Sequence, residues 1–448
     1  MKNSNYVYRC TFVAAIGGFL FGYDTAVIAG AIGFIQQKYQ LTPAMMGWIA
    51  SCALIGCVIG AMFGGIMSDW IGRRKVLVIS GLLFAISSIG ITIPLDLHYF
   101  VFFRLVGGIG IGIASMVVSM YISEIAPPVI RGRLISINQL GIVTGILIIY
   151  FVNSYIASLH NESWTIDIGW RYMFGSGIIP SVIFILLLFS VPESPRWLAQ
   201  KSCWPEAAMV LNKLNIPVDA AAELEAIKIS VNGATGTFSD LWKPRSRIVT
   251  FIGITLAFFS QITGINAIMY YAPEIFKATG DGVRSALLQT IMIGIVNIIS
   301  TIVAILYVDK LGRKAMLMIG SAGMAIFLAL IGVFFYMNMT KGYWVVLSIL
   351  GYITFFGISL GPLTFVVVAE IFPTRVRAKA ISVAIVTLWL STFAVSLAFP
   401  VFLKFFGGAF TFWLFTGFSV LSFLFIWKIV PETKGKTLEE IEQYWSKR

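Results

Sequence analysis

DWIGRRK, residues 69–75, returns as DKLGRK at 309–314, and the fold is decided by that pair. The offset is 240 residues. Two further segments return at nearly the same distance. SEIAPPVIRGR at 123–133 becomes AEIFPTRVRAK at 369–379, an offset of 246, and PESPR at 192–196 becomes PETKG at 431–435, an offset of 239. Three matches in one order at nearly one spacing mark an internal duplication. Each motif is a short charged segment beside apolar runs, so the duplicated unit is a set of apolar helices joined by polar turns.

Those runs are long enough to cross a bilayer, which takes about 20 apolar residues for about 30 Å of hydrocarbon. Twelve spans meet this, at 9–31, 46–67, 76–94, 98–121, 134–157, 170–190, 248–271, 286–308, 315–336, 343–367, 379–400 and 408–430. The 448 residues are 58% hydrophobic and 12% charged, against roughly 25% charged in a soluble domain. Mean hydropathy is +0.90. The balance excludes a soluble enzyme, a disordered chain and a disulfide scaffold. Cys10, Cys52, Cys57 and Cys203 form no metal-type cluster and read as small apolar fillers. No metal, no cofactor beyond a coupling ion and no nucleotide-hydrolysing loop is expected. The first apolar run is too long for the core of a cleavable signal.

The net charge of +12 would raise nucleic acid as a partner in a soluble protein. Here the basic residues sit in short loops and fix orientation in a lipid bilayer instead. Loops after spans 2, 4, 8 and 10 hold Arg73, Arg74, Lys75, Arg131, Arg133, Lys310, Arg313, Lys314, Arg375, Arg377 and Lys379. The opposite loops offer only Lys38, Lys277, Arg284, Lys341 and Lys404. The first set is therefore cytoplasmic, and an even number of spans puts both termini there too. The expected layout is a six-helix half at 1–190, a cytoplasmic helical linker at 191–247, a second six-helix half at 248–430 and a tail at 431–448. Even span counts give the halves one orientation, with a site expected between them near the membrane midplane.

Asp24 is the only charge between Phe12 and Phe34, and Arg104 the only one between Tyr99 and Ser123. A lone charge in a span is costly without water or a partner, which makes it a candidate functional group. Helix rise puts both at one depth, roughly 9 Å inside the outer boundary. They are placed to pair. Either Asp24 carries a coupling charge, or the pair only ties spans 1 and 4 together.

These segments resemble the sugar porter family of the major facilitator superfamily, over essentially the whole chain. The resemblance rests on FGYDTAVIAGA at 21–31, GRRK at 72–75, the Glu124–Arg131 and Glu370–Arg377 blocks, PESPRWL at 192–198, QITGINAIMYYAPEIF at 261–276, DKLGRK at 309–314 and PETKGKTLEEIE at 431–442. It is closest to bacterial proton-coupled xylose and glucose porters. The resemblance implies import of a monosaccharide by proton symport through alternating access, with Asp24 as proton acceptor beside Arg104. It implies a neutral-sugar site of amides and aromatics, for which Phe21, Gln139, Gln261, Asn266, Tyr270, Asn297, Phe365 and Trp389 are the candidates. Amides supply the donors and acceptors that sugar hydroxyls need. Gly264 lies between Gln261 and Asn266, where an unwound backbone can line a cavity. Asp69, Arg73, Glu124, Arg131, Glu193 and Arg196, with Asp309, Arg313, Glu370 and Arg377, are read as gate charges at the cytoplasmic helix ends, pairing across the halves when the inner side closes.

This chain departs from the family pattern at four places. Ser260 stands where a first glutamine of a pair is usual, Phe365 where a tryptophan is, Leu388 where an amide often is, and Ile146 where the xylose type has a further glutamine. The expected pocket is thus less polar than the xylose type. A facilitative sugar carrier, or a proton-coupled polyol or cyclitol carrier, is the alternative on the same fold. A single chain is expected to suffice.

Overall fold

A computed structural model describes residues 4–93, 96–127, 130–214, 224–225, 227–228, 237–278, 282–372 and 376–434. Helices dominate these residues, and twelve of them are long and apolar enough to cross a membrane. The last residue of the PETKG motif and the rest of the tail, residues 435–448, lie outside the described residues, as do Arg375 and much of the linker.

The helices outrun the apolar windows that announce them. Span 1 runs Ser4–Tyr39, span 2 Pro43–Ile71, span 4 Leu97–Ile125 and span 5 Arg131–Leu159. Hydropathy marks only the part that needs hydrocarbon. Once nucleated, a helix gains a hydrogen bond per added residue and runs on into polar surroundings. Span 6, expected at 170–190, starts earlier. Asn161 caps a short turn, Glu162–Trp164, by accepting from Trp164 N at 3.0 Å. A π-helical turn, Thr165–Gly169, then leads through Trp170–Gly175 into Ile178–Leu188.

The described residues group into two compact units. The first holds Met1–Asp24, Gly56–Gly145 and Gly175–Gly236, and the second holds Thr25–Ile55, Ile146–Phe174 and Thr237–Arg448. Within the first, spans 2 and 4 touch through glycine: a Cβ on Gly56 would fall 2.2 Å from Leu105 O, and one on Gly112 2.2 Å from Cys57 O. Small residues are what let two apolar helices bring their backbones this close in a membrane. The segment after span 6 begins with Pro195–Gln200, capped by Ser194, whose Oγ accepts from Trp197 N at 3.2 Å, followed by Trp204–Leu214.

The second unit is built on spans 7–12 but takes in residues 25–55 and 146–174, parts of spans 1, 2, 5 and 6. The repeat places its boundary at the linker, whereas this grouping follows packing. Tyr271 Oη of span 7 lies 3.4 Å from Met46 O of span 2 and 3.2 Å from Ser396 O of span 11, within reach of either with its one proton. Tyr150 Oη of span 5 donates to Met269 O at 3.2 Å. A Cβ on Gly47 would meet Leu397 O at 2.2 Å. These parts of first-half helices therefore pack on second-half helices, which the repeat alone does not announce. The unit opens on a short 3₁₀ turn, Phe238–Trp242, closed by a reciprocal cap between Thr237 and Asp240. Lys243 and the Thr237 N–H hold the Asp240 carboxyl below the usual carboxylate range.

Candidate functional site

Asp24 and Arg104 meet inside the first unit. Arg104 Nη1 lies 3.0 Å from Asp24 Oδ2 and 3.3 Å from Asp24 O. Arg104 is 1% exposed and Asp24 9%. The equal-depth reading of the two spans therefore ends in contact. Beside the pair, Gly107 lets span 3 come close: a Cβ there would fall 2.5 Å from Ser87 Oγ, with Asp24 Oδ2 in ordinary contact at 3.5 Å. A guanidinium held this way neutralises a carboxylate that hydrocarbon would otherwise penalise.

The amides of span 7 meet inside the second unit. Span 7 is two helices, Pro244–Ile262 and Ile265–Ala278, broken at Gly264 with φ +95°. Only glycine adopts that backbone freely, and a Cβ there would also strike the Phe415 ring at 2.6 Å. Tyr352 Oη donates to Thr263 O at 3.1 Å, which satisfies a carbonyl freed by the break. Across the break, Asn266 Nδ2 donates to Gln261 Oε1 at 2.6 Å. Thr392 Oγ1 of span 11 donates to the same oxygen at 3.1 Å, and Gln261 Nε2 donates to Ser260 Oγ at 3.2 Å. Thr392 escaped the sequence reading because a threonine in an apolar run most often serves its own helix carbonyl.

The remaining sugar-site candidates divide between the units. Tyr270, Asn297 and Trp389 are buried in the second unit, and Phe365 is 41% exposed there. Asn297 faces span 10, since a Cβ on Gly357 would lie 3.3 Å from its Oδ1. Span 10 is itself broken, into Tyr343–Gly357 and Leu360–Ile371. Phe21 and Gln139 belong to the first unit, both half-buried.

The repeated charge motifs build the same hub twice. In the first unit Arg73 binds Asp69 at 2.9 Å and Glu124 at 2.9 Å. Glu193 Oε1 accepts from Arg73 N at 2.9 Å and Arg74 N at 3.0 Å, capping the helix Arg73–Thr92. Ser194 Oγ donates to Glu124 Oε2. In the second unit Arg313 binds Glu370 at 3.1 Å, and Glu432 accepts from Arg313 N at 3.0 Å and Lys314 N at 3.1 Å. Thr433 Oγ1 donates to Glu370 Oε2 at 2.6 Å. A carboxylate at the first backbone N–H groups of a helix also meets the positive end of its dipole. So the Pro-Glu-Ser and Pro-Glu-Thr segments repeat because each caps the third helix of its half.

Glu124 is held by Arg73, and Arg131 reaches Ala126 O at 3.3 Å. The ion pairs seen at these hubs lie within a half. Arg196 lies in the helix Pro195–Gln200 that follows Ser194. The side chains of Asp309 and Arg377 lie outside the described residues.

The model of the family described as "Sugar (and other) transporter" matches residues 10–445. The arabinose-proton symporter of Bacillus subtilis is 45% identical over 97% of this chain and 94% of its own length. The D-xylose-proton symporter of Escherichia coli is 41% identical over 99% of this chain and 96% of its own. The solved structure of the proton:xylose symporter XylE bound to 6-bromo-6-deoxy-D-glucose superposes with a TM-score of 0.85 at 40% identity, covering 99% of this chain and all of that one. An inward-open structure of the xylose transporter XylE gives 0.86 at 40% identity, over 98% of this chain.

Proposed function

We propose, from the premise that this chain belongs to the sugar transporter family, that it imports a neutral pentose or hexose together with a proton. It is a secondary active carrier of the major facilitator fold and not an enzyme. The observation that carries the coupling is the buried Asp24–Arg104 pair at 3.0 Å. While ionised, Asp24 holds Arg104. On protonation it lets go, and the helices that carry the two residues are released to move. Gln261, Asn266, Asn297 and Tyr270 of the second half, with Gln139 and Phe21 of the first, bind the sugar, and Phe365 and Trp389 offer ring faces to its C–H surface. The paired hubs of Arg73 and Arg313 steady the cytoplasmic helix ends and exchange partners during the cycle. The protein works as a single chain in the cytoplasmic membrane with both termini inside, and needs no cofactor but the proton.

Uptake into proteoliposomes tests this, with a panel of pentoses, hexoses and cyclitols, with and without an imposed proton gradient. Accumulation of a monosaccharide only when the gradient points inward is the expected result. Uptake that merely equilibrates, with or without the gradient, makes the protein a facilitator. Accumulation confined to cyclitols moves the substrate class.

A further inference from the structure

We propose that Thr392 is a positioning residue for the sugar site. Its hydroxyl decides which end of the Gln261 amide is left for the ligand, and so whether a sugar hydroxyl meeting Gln261 must accept or donate. This rests on the reading of Gln261 and Asn266 as sugar-binding groups. An amide has two acceptor sites on oxygen and two protons on nitrogen. On Gln261 both oxygen sites are filled, by Asn266 Nδ2 at 2.6 Å and by Thr392 Oγ1 at 3.1 Å. One of its protons goes to Ser260 Oγ at 3.2 Å. Ser260 accepts it because its own proton points at Ala257 O, 2.7 Å away. What remains is a single N–H. In this arrangement Gln261 asks the ligand for an acceptor only.

The reversed amide would set Nε2 against Asn266 Nδ2, donor facing donor. Asn266 therefore fixes the direction of the amide, and Thr392 fixes how full its oxygen is. The Thr392 hydroxyl has a choice: it lies 2.8 Å from Leu388 O, one turn back on its own helix, and 3.1 Å from Gln261 Oε1. One proton serves one acceptor at a time. Given to Gln261, it saturates the oxygen; given to Leu388 O, it returns a lone pair that a sugar hydroxyl can use. The selectivity of the pocket is thus tuned from span 11, at a side chain with no need to touch the sugar.

The test is binding of D-xylose, or of the panel sugar that the parent protein takes up best, to purified protein by titration calorimetry, alongside KM and turnover in sugar exchange. Thr392→Val keeps the shape and removes the hydroxyl. With the hydroxyl gone, the Gln261 oxygen regains a lone pair that a sugar hydroxyl can use, and affinity is expected to rise roughly three- to tenfold, the worth of one hydrogen bond. KM should fall and exchange turnover should hold. Thr392→Ser keeps the hydroxyl and should bind within about twofold of the parent. In a Gln261→Ala background Thr392→Val should change nothing further. A Thr392→Val protein that binds no more tightly than the parent, an equal change in both backgrounds, or a Thr392→Ser protein that matches Thr392→Val overturns the assignment. If Gln261→Ala alone leaves affinity unchanged, the sugar-site reading has failed, and the role of Thr392 goes with it.

Discussion

Asp24 shows what one residue has to do for the proposed cycle to work. Its carboxylate is buried against Arg104 and beside Gly107, so its charge is tolerated only while the guanidinium stays. Asp24→Asn copies the protonated state in shape and charge. That protein should keep sugar binding and counterflow but lose accumulation driven by a proton gradient; if it still concentrates sugar, Asp24 only ties two helices together. Replacing Arg104 with Leu is harsher, because it strands a buried carboxylate. A loss of about 3–5 kcal/mol in stability is expected, read as an early thermal transition in detergent. Adding Asp24→Asn to Arg104→Leu should recover most of it. Composition and span counting were enough to find this pair, since an isolated charge in an apolar run stands out and helix rise gives its depth. The Gln261 contact with Thr392 was not legible, because hydroxyls on apolar helices carry no periodic signal and join a site only through the tertiary fold.

At the scale of elements, the break in span 7 and the capped third helices carry the burden. The sequence reading expected Gly264 to loosen span 7, and the observed φ of +95° agrees. The Phe415 ring that closes over it could not be read, being far along the chain. Gly264→Ala faces both a left-handed backbone and that ring, so a destabilisation of about 2–4 kcal/mol is expected, with the melting temperature as the measure. The turn at Phe238–Trp242 has its own dependence on acidity. Asp240 is held below its ordinary value, so its contribution is present at neutral pH and lost as pH falls through the lowered folded value. Asp240→Asn should therefore lower the melting temperature at neutral pH and make little difference in strong acid. A gap that persists in acid would show that the cap depends on shape and not on charge.

The duplication reaches from the sequence to the whole molecule. An offset of 240 residues predicted matching helices, and in both hubs one glutamate accepts the first two backbone N–H groups of the third helix. What the repeat does not specify is how the hub charges choose partners. Spacing made Glu124 and Arg131 neighbours, and Glu124 also binds Arg73. The gate reading pairs these charges across the halves when the inner side closes, and the ion pairs seen at the hubs join residues of one half. The two facts are compatible if the charges change partners when the carrier turns over, and the difference is measurable. Glu193→Gln and Glu432→Gln each remove one capping charge, worth about 1 kcal/mol. Their observed bonds lie in different units, so their effects on melting should add to within a few tenths of a kcal/mol. Transport should not add in the same way. If the hubs trade partners across the halves during the cycle, the double variant must slow sugar exchange by a factor different from the product of the single effects, because the two carboxylates then act in one shared step. Exchange rates that multiply as independently as the stabilities add would reduce the charges to caps and orientation signals, and the gate would have to be sought elsewhere on the cytoplasmic side.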